Sequence, residues 1–416
     1  MALAAAIVWE IRTTGNNNSG GGFKTGATGT DRSQQDAAQL SFTDLQVKNA
    51  VYTRIYSVIE DANLDATCVG NVVQVTGDGG SGLFTPGFYE VTAQGNDGNN
   101  YLDIDRNCAT GNASDGVAAL GGAVAGLETI DSVAVKGNTI YIEAGTYTPG
   151  VAIDFPANGD VSTHIDILGY NTSRGDNPTG DNRPLLQMAA NGFSTGDFNW
   201  VRNIRMTTTN TSGLQIETSG GAVNCKVENT GGVATHRAFR ISTAIMVDCE
   251  AICGNGRGIF VYYTCRVMGC YVHDCNEGIY CYDNADYSVF AFNIIDTCVE
   301  EGFAVDSGTL RLTFLNNTIY NCDEGIGFAG PGSVILIMNN LFDSCTTFGY
   351  TVTAEYKSNY ANYNNWNGNG TDTNNLTKGP DATANVPQFE NAAGGDFSLQ
   401  VGSPCIGAGL AIRLGV

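Results

Sequence analysis

Three glutamates recur at almost constant spacing: Glu277, Glu301 and Glu324, 24 and 23 residues apart, each directly before a glycine. Asp283 and Asp306, 23 residues apart, follow the hydrophobic runs that the first two of those glycines open. If residues so separated in sequence stack in space, like charges meet, which raises carboxyl pKa values or recruits a cation. Such carboxyls can act as the acid–base pair of glycoside hydrolysis, which asks for a separation of roughly 5.5 Å or up to about 9.5 Å according to mechanism. Adjacent rungs would supply the first spacing and alternate rungs the second. Glu277, Glu301, Asp283 and Asp306 are therefore the catalytic candidates of an enzyme. The competing reading makes them solvated turn residues in front of glycines.

Aromatics crowd the same stretch, with Phe260, Tyr262, Tyr263, Tyr280, Tyr282, Tyr287, Phe290 and Phe292 all between residues 260 and 292. Strand alternation sends about half of such residues outward. Outward tyrosines beside carboxylates can stack on sugar rings, and they equally suit a protein interface or a stacked core. Tyr262, Tyr280 and Tyr282, with Glu324, are the candidate glycan contacts.

These side chains need a repeating scaffold, and the cysteines supply its signature. Cys253, Cys275, Cys298, Cys322 and Cys345 follow one another at steps of 22, 23, 24 and 23 residues. Similar phrases surround them, such as Asp274-Cys275-Asn276-Glu277-Gly278 and Asn321-Cys322-Asp323-Glu324-Gly325. A repeat this short, built from strands and turns, has one physical solution: a coil stacked on itself. The 13 cysteines form either a disulfide framework or a set of small buried hydrophobes. The periodic placement favours free thiols stacked near strand spacing, about 4.8 Å. No close Cys–Cys pair with histidine partners suggests zinc. Asn293, Asn316 and Asn339 precede their cysteines by five or six residues, with Cys225, Cys249 and Cys270 at comparable places in earlier rungs. Stacked amides at corners would bond up the column.

The 54 glycines with 42% hydrophobic residues describe a turn-rich all-β chain with a real core. A net charge of −22 with only 20 Lys plus Arg argues against a nucleic-acid groove. No run approaches a membrane span. Residues 1–8 are apolar but short and lack a basic start, so no secretory signal is expected. Scattered Asp and Asn could offer oxygens to Ca2+, though no EF-hand loop is present.

Along the chain, residues 7–13 read as a strand, 31–39 as a helical turn, and 46–115 as a small β insert. Residues 118–130 read as a short helix capping the open end of the coil. The expected division is a cap region over 1–130, a parallel coil over 131–356 and an irregular closing segment over 357–416.

Several phrases carry a resemblance. Residues 137–147, Asp396-Phe397-Ser398-Leu399 and Ser403-Pro404-Cys405-Ile406-Gly407-Ala408-Gly409 resemble the first coil and the closing segment of right-handed parallel β-helix proteins of the pectin-lyase-like superfamily. Residues 9–23 and 31–39 resemble the N-termini of phage-encoded members. The resemblance implies an all-β, right-handed single-stranded parallel β-helix with a cap helix and an inserted β domain. It further implies a virion protein, a tail spike, fibre or capsid-surface adhesin, released on host lysis. Its implied partners are two further copies in a homotrimer, other virion proteins and host-surface polysaccharide. The pectin-degrading hydrolases of the superfamily carry an Asp-Asp pair and a Gly-His-Gly, and neither occurs here. His164, His236 and His273 stand isolated in sequence, and no lyase motif surrounds Arg257 or Arg266. His236-Arg237 reads as a loop pair able to touch substrate. A glycan-binding adhesin is the leading expectation, ahead of a polysaccharide lyase or glycoside hydrolase and of a purely structural decoration protein.

Overall fold

A computed structural model describes residues 6–156, 160, 162–282, 284–306, 310–328, 334–352 and 359–410. The chain forms two compact units, Met1–Gln187 with Gly196–Ile204, and Met188–Thr195 with Arg205–Val416. Among the described residues no helix is long and apolar enough to cross a membrane.

In the first unit, Ile7–Ile11 pairs antiparallel with Gly22–Lys24 and parallel with Thr139–Glu143. Asp166–Tyr170 and then Trp200–Arg202 extend that parallel ladder. The β domain is a six-stranded antiparallel sheet bounded by Leu40–Val47 and Ala113–Leu120 in sequence. It has its own core, including Phe42, Leu45, Val73, Val91, Leu102 and Leu120.

The cap helix expected over 118–130 is not formed. Residues 118–120 end the strand Ala113–Leu120, and only a 3-10 turn, Leu127–Thr129, follows. Leu120 pairs with both Leu40 and Val73, so two strand partners outweigh the helix propensity of alanine. Gly121 and Gly122, at φ +69° and +75°, then end any regular run. The helical turn expected at 31–39 is also absent; Asp31 instead accepts the backbone N–H of Ser33, an Asx-turn.

The second unit is a parallel β-helix with three ladders. One runs through Gly221–Val223, Ile245–Val247, Arg266–Met268, Val289–Ala291, Arg311–Leu315, Val334–Met338 and Tyr360–Asn362. The second passes Arg205–Thr208, Lys226–Asn229 and the first halves of Glu250–Val261 and Tyr271–Cys281, and continues to Asn365–Asn367. The third takes Ser212–Ile216, Arg237–Ile241, the second halves of those two long strands, Glu301–Val305, Glu324–Phe328, Phe348–Val352 and Thr371–Asn374. The coil thus runs past residue 356, where irregular loops were expected. Trp366 anchors that extra turn, buried and stacked on Phe342 at 4.2 Å.

All 13 cysteines are free, and only Cys405 is not fully buried. Cys253 and Cys275 are register partners. Burial pushes the Cys253 thiol up to about 12. These are protonated core fillers, as their period suggested.

The amide column includes Asn293 as expected and is shifted by one residue at the next two rungs. Asn293, Asn317, Asn340 and Asn364 are buried and stacked, and the amide oxygen of each of the last three accepts both the backbone N–H and the side-chain amide of the asparagine one rung earlier. Cys270 begins the series by donating its N–H to Asn293. Asn316 and Asn339 lie outside the ladder, holding bends at φ +54° and +58°. Asparagine tolerates that left-handed region better than most residues.

Candidate functional site

The third ladder displays two columns of side chains outward. One holds Ser212, Arg237, Arg257 and Glu277 in strand register, followed by Glu301 and Glu324. Glu277 and Glu301 adjoin because Ile279, two residues on, pairs with Phe303. The other holds Gln215, Arg240, Phe260, Tyr280, Ala304 and Gly327. A glycine step separates the columns. A Cβ on Gly258, Gly278, Gly302 or Gly325 would lie 2.7, 2.5, 2.9 or 2.2 Å from the carbonyl oxygen of the next rung's glycine. The sequence pattern of a charged residue before glycine therefore comes from coil geometry, and it places each charge on the outside.

Arg257 links the columns. Its Nε donates to Glu277 Oε2 at 2.5 Å, and its guanidinium lies 3.5 Å from the centre of the Tyr280 ring. The Tyr280 hydroxyl donates to Asp306 Oδ2 at 2.7 Å. Burial raises the Glu277 carboxyl above its ordinary range, with Arg257 opposing. Burial, then Glu277 and Glu324, push Glu301 up to about 7. Burial also raises Glu324, helped by Asp323. The small residues of the second column make room for these acids: a Cβ on Gly327 would sit 2.7 Å from both Glu301 Cγ and Glu324 Oε2. Oxygens of Glu277, Glu300 and Glu301 lie within 4.8 Å of one another. That donor set suits a hard cation such as Ca2+, which would need further oxygens from solvent or ligand.

The structure therefore brings Glu277, Glu301, Glu324 and Asp306 to one face, while Asp283 lies outside the described residues. Tyr262, Tyr280 and Tyr282 join them but are half-buried, not freely exposed. They form a stacked aromatic plate around Phe260, with Phe260–Tyr280 and Tyr262–Tyr282 centroids each 5.4 Å apart. Sequence reasoning missed Phe260 as the centre of this face, where the surrounding tyrosines and arginines bury it, Glu300 as a third carboxylate, and the arginines as members of the same column. The one available signal was spacing: Arg237, Arg257 and Glu277 are 20 residues apart, and each precedes an alanine or glycine. Arg237 opens a strand and is not in a loop. His273 is not isolated in space, its ring nitrogens lying 3.2 Å from Glu250 and 2.8 Å from Asp274.

The raised Glu301 carboxyl predicts a pH signature. A folded-state pKa near 7 against 4.5 in the unfolded chain means full stability below pH 4.5, lost progressively as pH rises through 7. Glu301→Gln keeps the shape and removes the charge. Its melting temperature should match the wild type at pH 4 and exceed it increasingly up to pH 8. Parallel melting curves across that range would refute the assignment.

No curated protein matches the sequence. The family model described as the right-handed β-helix region matches residues 212–394. Among solved structures, the chain is similar to the pectate lyase Pel9A, at 12% identity over 71% of this chain and 88% of that one, with a TM-score of 0.47. It is similar to the A-module of the Azotobacter vinelandii mannuronan C-5 epimerase AlgE4, at 9% identity over 60% and 91% of the two chains, with a TM-score of 0.33. It is also similar to a rhamnogalacturonan lyase, at 12% identity over 65% and 86%, with a TM-score of 0.33.

Proposed function

We propose that this protein binds polysaccharide along the outward face of its third ladder. The carrying observation is the group of half-buried Tyr262, Tyr280 and Tyr282, packed on the buried Phe260 and set beside a carboxylate column. Aromatic faces stack on the apolar faces of sugar rings, and flanking carboxylates accept hydrogen bonds from hydroxyls. The test is binding to a panel of purified bacterial capsular and O-antigen polysaccharides. Tyr280→Ala is expected to weaken the bound polysaccharide about tenfold, equal to about 1.4 kcal/mol. Unchanged affinity in both Tyr280→Ala and Tyr262→Ala would remove the proposal. No binding by the wild type would leave the purely structural decoration protein.

A second reading, glycoside hydrolysis, draws on Glu301. A carboxyl pushed up to about 7 is poised as general acid, and Glu277, paired with Arg257, is the neighbouring carboxyl. Their oxygens, within 4.8 Å, fall closer to the retaining than the inverting arrangement. Reducing ends released by the wild type and not by Glu301→Gln would support this reading over a simple adhesin. For a lyase, the same assay would release unsaturated ends.

The N-terminal resemblance extends the proposal to location: a virion attachment protein, acting as a homotrimer among other virion proteins, that meets host-surface polysaccharide. Sedimentation of the full chain at the monomer mass would remove the trimer.

A further inference from the structure

Among the described residues, Arg237 is a cation without a counter-ion. The arginines on either side of it each have one: Arg257 pairs with Glu277, and Arg240 donates to Glu217 at 2.6 Å. Arg237 has no ion pair among the described residues. Its hydrogen bond to Ser212 Oγ is long, at 3.5 Å, and its buried Nε has no partner. One face of its guanidinium is occupied by Phe260, whose ring centre lies 4.0 Å away. Burial and the charges of Arg257 and Arg240 pull its pKa below the ordinary arginine range. In a chain with 42 acidic residues against 20 basic ones, a half-buried arginine whose charged neighbours are Arg257 and Arg240 is anomalous. A desolvated, unpaired charge and an orphaned N–H are both unfavourable, so the free protein carries an uncompensated site.

We propose that Arg237 is the seat of an oxyanion site, which takes the single negative charge of an acidic saccharide unit. The inference rests on the glycan-binding reading of this face and names its substrate class. One positive charge is uncompensated, so one negative charge completes the site. With Phe260 on its face, the guanidinium offers its edge, the geometry that pairs with two oxygens of a carboxylate or a sulfate ester. Tyr262, over which Arg240 lies at 5.6 Å, and Tyr280 continue the surface toward the carboxylates, where neutral hydroxyl-bearing units fit. The face is thus polar along its length, anion-accepting at Arg237 and acidic from Glu277 onward.

The test uses the full chain with glucuronate, glucose 6-sulfate and glucose as probes, read by melting temperature and titration calorimetry. Glucuronate and glucose 6-sulfate distinguish the carboxylate from the sulfate source. Either acidic probe is expected to raise the wild-type melting temperature, and glucose is not. Arg237→Gln should lose that shift and bind the same probe at least tenfold more weakly. Without ligand it should melt at or above the wild type, because it relieves the repulsion. Arg237→Lys keeps the charge but not the fork, and should retain part of the shift. Equal shifts in the wild type and Arg237→Gln, or none in the wild type with either anion, would overturn the site. If the polysaccharide panel still binds through Tyr280 with no preference for acidic members, the substrate class falls while the glycan face stands. If Tyr280→Ala and Tyr262→Ala both bind as the wild type does, both fall.

Discussion

Replacing Asn317 by alanine is expected to remove on the order of 4 kcal/mol of folding stability. Asn317 accepts the backbone N–H and the side-chain amide of Asn293, each at 3.0 Å, and donates its own amide to the Phe290 carbonyl and to Asn340. Every partner is buried. Alanine leaves the Asn293 N–H with no acceptor inside the core, which costs about 1–3 kcal/mol. It also breaks the further bonds and leaves a void. Neighbouring rungs stabilise one another in a stacked coil, so the damage spreads beyond one turn. The check is the urea unfolding midpoint, with Asn316→Gly as control. Residue 316 sits at φ +54°, where glycine is at ease, so that variant should hold or gain stability. If Asn317→Ala proved as stable as Asn316→Gly, the ladder would have no energetic role.

Gly325→Val should be as damaging for a steric reason. A Cβ at this position would lie 2.2 Å from the Gly349 carbonyl oxygen and 2.8 Å from Phe342 Cδ1. The carbonyl cannot retreat, because Ile326 and Tyr350 hold the two rungs in register on one side and Glu324 and Phe348 on the other. Overpacking of this kind costs about 3 kcal/mol or more, and valine adds two further methyls. Gly327, two residues along the same strand, predicts the opposite outcome. There a Cβ meets only side chains, Glu301 at Cγ and Glu324 at Oε2, and these can turn about their own bonds where a backbone carbonyl cannot. Gly327→Ala should therefore melt close to the wild type while moving the carboxylates. Urea midpoints for both variants give the comparison, and equal losses at the two glycines would refute the argument.

The same contrast explains what could be read from the chain before its structure. Period carries across levels: cysteines 22 to 24 residues apart had to stack if the repeat formed a coil, and Cys253 faces Cys275. The outward carboxylates were legible for the same reason. The glycine after each one is imposed by the next rung's carbonyl, so the pair recurs wherever the ladder does. Side-chain choice within a repeat was less legible. In the Asn316-Asn317 and Asn339-Asn340 doublets composition cannot say which asparagine turns inward; the backbone bend decides, placing the first at positive φ and the second in the core. The alanine-rich segment near residue 118 illustrates the limit of local propensity. Its helix tendency, a few tenths of a kcal/mol per residue, yields to pairing with two distant strands.

The sequence by itself determined an all-β coil of about two dozen residues per turn, thiols in its core and a row of acids on its surface, because each follows from residues repeating in register. Only the tertiary structure decided which groups share that surface with the acids. Arg237, Arg257, Phe260 and Glu300 join Glu277 and Glu301 through strand register and the glycine step, and neither is visible until neighbouring turns lie side by side. Charge balance is a property of such neighbours, which is why the pairing of Arg257 and the isolation of Arg237 emerge from the fold and not from the order of residues.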